Sequence, residues 1–415
     1  MNSPVARSLA RGALRGWRVL AIAAAGAALA VGIAAAKTRD PALEPPAWPP
    51  PPEPARVRFV TQLRSSRDLG HAGSILERAA RSLAGAKPRG LVALTRPTDV
   101  WAADSSRIFV SDASAAALYR FDAPSRSVRR IGASGPGALS KPMGLGGDES
   151  GRVYVADPPN RRVVEFDTEG RFVRALGGRG ELLNPVDVAV EPATGRVWVV
   201  DAYLHQVVIF DSSGAVWKRI GRTETLAGSK EAEWHDPISA HEPGGAARGS
   251  RDARENRGGG PGEFLYPASV ARSPSGRFFV TDGLNGRVQS FDPQGRYVAT
   301  FGRLGDAPGS LPRPKGIACD SQGHVYVVDA AFNNIQVFDE RGTLLLAIGG
   351  LGQEPGRFWL PMGLHIDRHD YLYVADRYNE RVQILRYLPD LSSGAPGHGA
   401  ARDSSEARTQ EGGRP

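Results

Sequence analysis

Short apolar runs alternate with glycine-marked or proline-marked turns along most of the chain, and the pattern repeats. The stretch "GRVYVADPPNRRVVEFD" begins at Gly151, and close copies are "GRVWVVDAYLHQVVIFD" from Gly195, "GRFFVTDGLNGRVQSFD" from Gly276 and "GHVYVVDAAFNNIQVFD" from Gly323. Looser copies are "SRIFVSDASAAALYRFD" and "DYLYVADRYNERVQILR". Apolar runs of about five residues between glycine turns predict antiparallel strands.

Every copy orders its elements in the same way. A proline-led strand is followed by a turn, a strand ending in Asp, a loop, a strand ending mostly in Phe-Asp, and a last strand ending in Gly. The closing aspartates are Asp112, Asp157, Asp201, Asp282, Asp329 and Asp376, at intervals of 45, 44, 81, 47 and 47 residues. Four strands in about 40 to 50 residues, repeated, predict an all-β fold, a six-bladed β-propeller. The blades are expected to start near residues 96, 141, 185, 267, 314 and 361.

The long interval and the chain ends complete the predicted ring. Segment 222–257 is charged, rich in Gly and Ala, and lacks a strand-Asp copy, so an inserted loop is expected there. The last copy stops at Tyr387 without a fourth strand, whereas "RFVTQLR" from Arg58 matches the outer strand "RFVRALG" at four positions. A closing strand at 56–66 is therefore expected to complete the last blade and remove an open edge. Apolar spacing at 73–84 predicts a short helix.

The two ends of the chain differ from the repeat, which spans residues 56–387. Residues 1–36 combine four arginines with an uncharged apolar run at 19–36, which predicts a signal peptide or an uncleaved membrane anchor. The expected location is the periplasm or the outer face of the cytoplasmic membrane. Residues 37–55 form a Pro-rich linker, in which Pro41–Pro54 is expected to be a stiff polyproline II rod that serves as a spacer or, alternatively, as a docking motif for an aromatic groove. Residues 388–415 predict a disordered tail.

Charge and cysteine content narrow the choice of function. The first 36 residues supply four of the +8 net charges, which leaves little support for nucleic-acid binding by the repeat. The single cysteine, Cys319, lies in an apolar setting and excludes an internal disulfide or a Cys-x-x-Cys zinc site.

The repeated motif resembles the NHL repeat over residues 56–387. Three copies carry the matching side chains, an Asn three residues and an Arg five residues after the closing Asp: Asn160 with Arg162, Asn285 with Arg287, and Asn379 with Arg381. The other three copies have Ala115, Leu204 and Phe332 at the Asn position. The N-terminal stretch "WPPPPEPARVRFV" is also similar to exported bacterial six-bladed propellers of undefined activity. The resemblance implies the fold, and a fold alone does not imply a function.

The repeat separates scaffold residues from candidate site residues. The closing Asp occurs in every blade, so it is expected to accept backbone N–H groups and to pair with the Arg five residues on. Residues that break the pattern in the loops after this Asp are the candidates for a binding rim. They are Tyr203, Leu204, His205, Leu284, Phe332, Asn333, Arg377 and Tyr378. For Leu204 and Phe332, filling gaps between blades is an equal alternative.

Catalytic signatures are sparse. Some relatives built on this repeat are lyases that bind a divalent metal through histidines of several blades. Here His205 lies in a rim loop, and a three-His site with His235 and His241 of the insertion is a minor hypothesis. The sequence has no Gly-x-Ser-x-Gly nucleophile motif, so no catalytic residue, metal or cofactor is predicted.

These observations favour a non-enzymatic binding or assembly role in the cell envelope, with a protein or peptide partner bound at the rim. The N-terminal segment could also contact a membrane. The alternative is a metal-dependent lyase or lactone hydrolase at the rim end of the central channel. RNA binding is disfavoured by the export signal and the modest charge. The sequence does not specify the oligomeric state.

Overall fold

The computed structural model describes residues 45–69, 92–178, 180–221 and 258–389. The predicted signal or anchor at 1–36, the helix at 73–84, the insertion at 222–257 and the tail beyond residue 389 lie outside the described residues. Within the described ranges, no helix is long and apolar enough to cross a membrane.

The described residues form β-strands joined by turns, with short 3₁₀ turns at Ser66–Leu69, Pro158–Asn160 and Arg377–Asn379. The chain begins with β1 (Ala47–Trp48) and β2 (Val57–Leu63). Blade 1 contains β3 (Pro97–Asp104), β4 (Arg107–Asp112), β5 (Ala117–Asp122) and β6 (Ser127–Ile131). Blade 2 contains β7 (Leu145–Gly147), β8 (Val153–Asp157), β9 (Arg162–Phe166) and β10 (Phe172–Leu176). Blade 3 contains β11 (Pro185–Val190), β12 (Val197–Asp201), β13 (Gln206–Phe210) and β14 (Val216–Gly221).

The remaining blades repeat this plan. Blade 4 contains β15 (Pro267–Arg272), β16 (Phe278–Asp282), β17 (Arg287–Phe291) and β18 (Tyr297–Phe301). Blade 5 contains β19 (Pro314–Cys319), β20 (Val325–Asp329), β21 (Asn334–Phe338) and β22 (Leu344–Gly349). Blade 6 contains β23 (Pro361–Ile366), β24 (Tyr371–Asp376) and β25 (Arg381–Tyr387), followed by β2 and β1. All six sheets are antiparallel, and the predicted six-bladed propeller is confirmed.

The core consists of apolar layers between neighbouring blades. Middle strands such as β12, "VWVVD", are buried at every position because a blade packs on each of their faces. One cluster joins Leu63 and Tyr373 of blade 6 to Val100 and Phe121 of blade 1, and equivalent clusters follow around the ring. The first strands of the six blades contact one another in turn and surround the channel.

The ring closes through β2, as the sequence predicts. Strand β2 pairs antiparallel with β25, with Val57 opposite Tyr387 and Leu63 opposite Val382. Each blade thereby has its full set of strands, although the first and last strands of blade 6 come from opposite ends of the repeat region.

The proline-rich segment departs from the expected rod. Residues 46–55 turn back, and β1 pairs with β2, with Ala47 opposite Arg58 and Trp48 opposite Val57. The Trp48 side chain packs on the cluster that contains Phe358, and a Cβ on Gly356 would lie 2.4 Å from its ring. Ladder hydrogen bonds and burial of an indole therefore outweigh the polyproline II preference of the flanking prolines.

One face of the propeller carries two kinds of loop, and we call this face the rim. It consists of the loops between the second and third strands of each blade, together with the connections that lead from one blade to the next. The closing Asp links the two kinds of loop, because its carboxylate accepts N–H groups of the connection that leads into its own blade. Asp112, for example, accepts the backbone N–H groups of Thr95 and Arg96.

Candidate functional site

The repeated aspartates form the scaffold of the rim, as predicted. Asp376 accepts the backbone N–H of Trp359 at 2.7 Å, the side-chain amide of Asn379 at 2.8 Å and Nε of Arg381 at 2.7 Å. Asp282 has equivalent partners in blade 4. Their oxygens are occupied by the protein itself, so these carboxylates hold the loops in place.

The predicted rim residues differ widely in exposure. Leu284 is 55% exposed and Tyr378 is 43% exposed. Half-buried are Tyr203, Leu204, His205, Phe332 and Asn333. Leu204 packs on the apolar cluster between blades 2 and 3, which corresponds to its gap-filling alternative. Arg377 is 5% exposed because it opens a tight 3₁₀ turn, so its prediction as an exposed contact residue is wrong.

The connections contribute exposed residues that the sequence analysis missed. Large exposed apolar side chains of the described rim form what we call the rim patch: Tyr266, Leu284, Leu304, Leu351, Trp359 and Tyr378. All of them come from the half of the ring made by blades 4 to 6. Elsewhere in the described ranges, the large exposed apolar side chains lie on β2 and on outer strands of blades 2 to 5. Connections vary in length and do not align between copies, although Tyr266 directly precedes a strand-opening proline and Trp359 lies two residues before one.

Tyr266 joins blade 4 to the loop of blade 3. Its backbone N–H donates to Nδ1 of His205 at 3.0 Å, and the two rings are perpendicular with centroids 4.6 Å apart. The ring of Tyr203 contacts Tyr266 edge-on at 6.1 Å. Burial lowers the pKa of His205, which keeps its imidazole neutral and able to accept this hydrogen bond.

This role of His205 bears on the three-His hypothesis. With Nδ1 engaged by Tyr266, only Nε2 could bind a metal. His235 and His241 lie outside the described residues. Among the residues that the structure describes, no group of three or more His, Cys, Asp or Glu side chains could hold a metal ion.

A second contact set joins blades 5, 6 and 1. The rings of Trp359 and Tyr378 meet edge-on, 5.8 Å apart at 84°, and the backbone N–H of Tyr378 donates to the Trp359 carbonyl at 3.1 Å. The guanidinium of Arg96 lies 5.9 Å from the Tyr378 ring centroid, within range of a cation–π interaction. Both rings are 43% exposed.

The backbone is strained where two connections enter the rim patch. Tyr266 and Leu360 each have a φ of 51°. This left-handed region costs a residue with a Cβ about 1–2 kcal/mol, and a following proline also favours extended backbone. Strain of this kind accumulates at binding and catalytic sites. Its presence at blades 4 and 6 coincides with the exposed aromatic residues.

Two buried carboxylates lie at the rim end of the channel, and the sequence analysis missed both. Asp99 accepts the backbone N–H of Leu145 at 2.7 Å, and Asp187 accepts Oγ–H of Ser269 at 2.5 Å and the backbone N–H of Val270 at 2.9 Å. Burial raises the pKa of Asp187 to about 6, and burial together with the charge of Asp187 raises the pKa of Asp99 well above its usual value.

The repeat could have revealed this pair. Both aspartates are the third residue from the proline that opens an inner strand, and three other blades have glycine there: Gly144, Gly316 and Gly363. A Cβ on Gly144 would lie 2.2 Å from Oδ1 of Asp187, and one on Gly363 would lie 2.0 Å from Oδ1 of Asp99. Neighbouring glycines therefore make room for the carboxylates. Buried carboxylates with raised pKa values are candidates for acid–base roles.

Two other reactive side chains have structural roles. Nε2 of His365 lies 2.7 Å from the carbonyl oxygen of Ala102, which links the inner strands of blades 6 and 1. Burial lowers the pKa of His365 to about 4, so the neutral imidazole donates this bond. Burial also raises the pKa of the Cys319 thiol, which keeps it protonated and unreactive.

The opposite face has an open cleft of about 390 Å³ between blades 4 and 5. Its histidine, His324, is held by Asp320, whose Oδ2 lies 2.8 Å from Nδ1. The hydrogen bond that the imidazole donates to Asp320 raises the pKa of His324. In blade 2 the same two turn positions hold Asp148 and Arg152, also 2.8 Å apart. His324 therefore replaces a turn arginine of the repeat.

Comparisons with known proteins show the fold alone. No family model matches the chain, so the NHL resemblance stays a prediction, and no curated protein matches it. An auxiliary nutrient binding protein from Bacteroides thetaiotaomicron is 12% identical, with a TM-score of 0.50 over 71% of this chain and 69% of that one. A virginiamycin B lyase from Staphylococcus aureus is 12% identical, with a TM-score of 0.48 over 71% and 96%. A gluconolactonase from Xanthomonas campestris is 14% identical, with a TM-score of 0.49 over 80% and 98%.

Proposed function

We propose that this protein is a non-enzymatic binding scaffold whose rim patch recognises a protein or peptide partner. The observation that supports this proposal is the concentration of exposed apolar rim side chains on blades 4 to 6. Exposed apolar side chains grouped on one part of a folded protein are a common mark of an interaction site, and exposed Trp and Tyr residues often dominate binding energy.

The rim patch is also held in place before any partner binds. The Trp359 N–H is fixed by Asp376, the Tyr378 N–H by the Trp359 carbonyl, and the Tyr266 N–H by His205. Side chains on a fixed backbone lose less conformational freedom on binding, which leaves more of the contact energy for affinity. The predicted export of the chain makes an envelope location part of the proposal.

Partner capture by rim variants tests this function. We expect Trp359→Ala combined with Tyr378→Ala to abolish cross-linking to the partner in the native cell, with little change in thermal unfolding. The matched control is Phe172→Ala with Tyr297→Ala, which removes exposed aromatic residues from outer strands at 38% and 40% exposure. Equal capture by the rim variant and the control would contradict the proposal.

The enzymatic alternative is supported by one observation, the buried pair Asp99 and Asp187 at the rim end of the channel. A lyase or lactone hydrolase could use such carboxylates as acid and base. Elemental analysis of the untagged full chain, together with lactone hydrolysis assays, tests this alternative. Stoichiometric zinc, iron or calcium with activity that Asp187→Asn abolishes would favour the enzyme over the scaffold.

A further inference from the structure

Three side chains from three different rim segments meet beside blade 6. Trp359 comes from the connection into blade 6, Tyr378 from the loop of blade 6, and Arg96 from the connection into blade 1. Trp, Tyr and Arg are the residues most enriched at the energetic centres of protein interfaces. We call these three residues the Arg96 cluster.

The guanidinium of Arg96 contacts an aromatic ring and, among the described residues, pairs with no carboxylate. Within the described ranges Arg96 forms no ion pair, and its guanidinium lies over the exposed Tyr378 ring. Its backbone is fixed, because its N–H donates to Asp112 at 3.1 Å. An arginine that contacts only the face of a ring keeps its N–H donors available for a planar anion such as a carboxylate.

The residues that precede the strand-opening prolines around the propeller also favour an anionic ligand. Arg96 directly precedes the proline that opens its inner strand, and each blade has one residue at this position. These residues are Arg96, Lys141, Asn184, Tyr266, Arg313 and Leu360. Three are cations and none is acidic. These positions therefore place cationic side chains beside the apolar rim patch.

One acidic residue, Glu380, lies in the blade 6 loop that also supplies Tyr378. Glu380 is the fourth residue after its closing Asp, the place that His205 and Asn333 occupy in blades 3 and 5. Those two residues hydrogen-bond to the connection of the following blade, at Tyr266 and Leu360. Glu380 forms no such bond within the described part of the chain, so it can oppose an incoming carboxylate at Arg96.

We propose that the Arg96 cluster binds a peptide segment in which an Asp or Glu side chain neighbours a large apolar side chain. The carboxylate accepts hydrogen bonds from Arg96, and the apolar side chain packs in the angle between the rings of Trp359 and Tyr378. This proposal rests on the proposed binding function of the rim patch and adds the chemistry of the partner.

Selection from a displayed random-peptide library on the immobilised full chain tests this proposal. We expect the selected sequences to be enriched in Asp or Glu beside Trp, Phe or Leu. A selected peptide and its Asp→Asn counterpart are then synthesised with a fluorescent label and titrated by anisotropy. The acidic peptide should bind about tenfold more tightly, the effect of one charge-assisted hydrogen-bonded pair.

Two charge variants give opposite expected results. Arg96→Gln should remove the difference between the acidic peptide and its Asn counterpart. Glu380→Gln should tighten the acidic peptide and leave its Asn counterpart unchanged, because it removes a repulsive charge. Raising the salt concentration should weaken the acidic peptide selectively. Both side chains are exposed, so thermal unfolding is expected to stay unchanged.

The outcomes separate this proposal from the function on which it rests. The partner chemistry would be overturned, with rim binding left intact, if the selected peptides depend on Trp359 but show no preference for an acidic residue. The same conclusion would follow if the acidic preference persists in the Arg96→Gln variant. Selected peptides that bind Trp359→Ala as well as the unaltered protein, or a selection that yields no peptides, would overturn both.

Discussion

Replacing Asp187 with Asn removes a buried charge and leaves an oxygen that can accept the bonds from Ser269 and Val270. Burial raises the pKa of Asp187 to about 6, whereas an unperturbed Asp has a pKa of ~3.9. Below pH ~6 the folded protein therefore holds Asp187 mainly as the protonated acid. A shift of about two pKa units corresponds to ~3 kcal/mol of folding free energy that is lost when the group ionises.

The sign of the pH dependence follows from proton binding. Between pH ~4 and ~6 the folded chain holds a proton on Asp187 that the unfolded chain has released, so stability falls as pH rises through this window. The amide of the Asp187→Asn variant cannot titrate. Relative to the unaltered protein, this variant should gain stability from pH 4 to pH 8 by ~3 kcal/mol. A pH-independent effect of the Asn side chain on stability would shift the whole curve of the variant by a constant amount and leave this pH-dependent gain unchanged.

Chemical denaturation at several pH values between 4 and 8 measures this gain. The control is Asp122→Asn, because a side-chain hydrogen bond from Ser125 lowers the pKa of Asp122, which gives the opposite sign. The unaltered protein should be more stable than Asp122→Asn at neutral pH, and this difference in the free energy of unfolding should shrink as the pH falls and Asp122 is protonated. Parallel stability curves for Asp187→Asn and the unaltered protein would refute the argument that burial holds this carboxylate protonated.

Three further predictions concern stability. Arg161 has a φ of 51°, so Arg161→Gly should raise the free energy of unfolding by about 0.5–1 kcal/mol, and a loss in urea denaturation would contradict this. Burial lowers the pKa of His365 to about 4 from ~6.5. The free energy of unfolding therefore falls as the pH falls from ~6.5 to ~4, because the unfolded chain binds a proton on this imidazole before the folded chain does. His365→Gln should remove up to ~3 kcal/mol of this acid sensitivity, measured as the difference between the two proteins from pH 7 to pH 4. The Arg381 side chain is 1% exposed and lies 2.7 Å from Asp376. Arg381→Gln should therefore lower the free energy of unfolding by about 3–5 kcal/mol, because it leaves the buried Asp376 carboxylate without its cation. Arg162→Gln is the matched comparison, since its side chain is 22% exposed and its ion pair is 3.8 Å long, and an equal loss would contradict the role of burial.

The chemistry of the rim was only partly predictable from local sequence. Loop residues that break the repeat, such as Leu284 and Tyr378, were found because the repeat supplies a reference for each position. Arg377 was misplaced because a tight turn directs its side chain inward, which no spacing rule reports. Trp359 and Tyr266 were missed because connections of unequal length have no such reference.

The sequence by itself determined the blades, the closing strand and the scaffold role of the repeated aspartates. Each depends on short-range patterns, namely apolar runs between turns and an Asp at a fixed distance from Asn and Arg. Tertiary structure decided which side chains from different blades meet. The charge of Asp187 acts on Asp99 because successive blades pack together, whereas Trp48 packs beside Gly356 and Arg96 lies over Tyr378 only because the ring closes. Contacts between distant segments depend on how whole blades pack, and a repeat read one copy at a time does not contain that information.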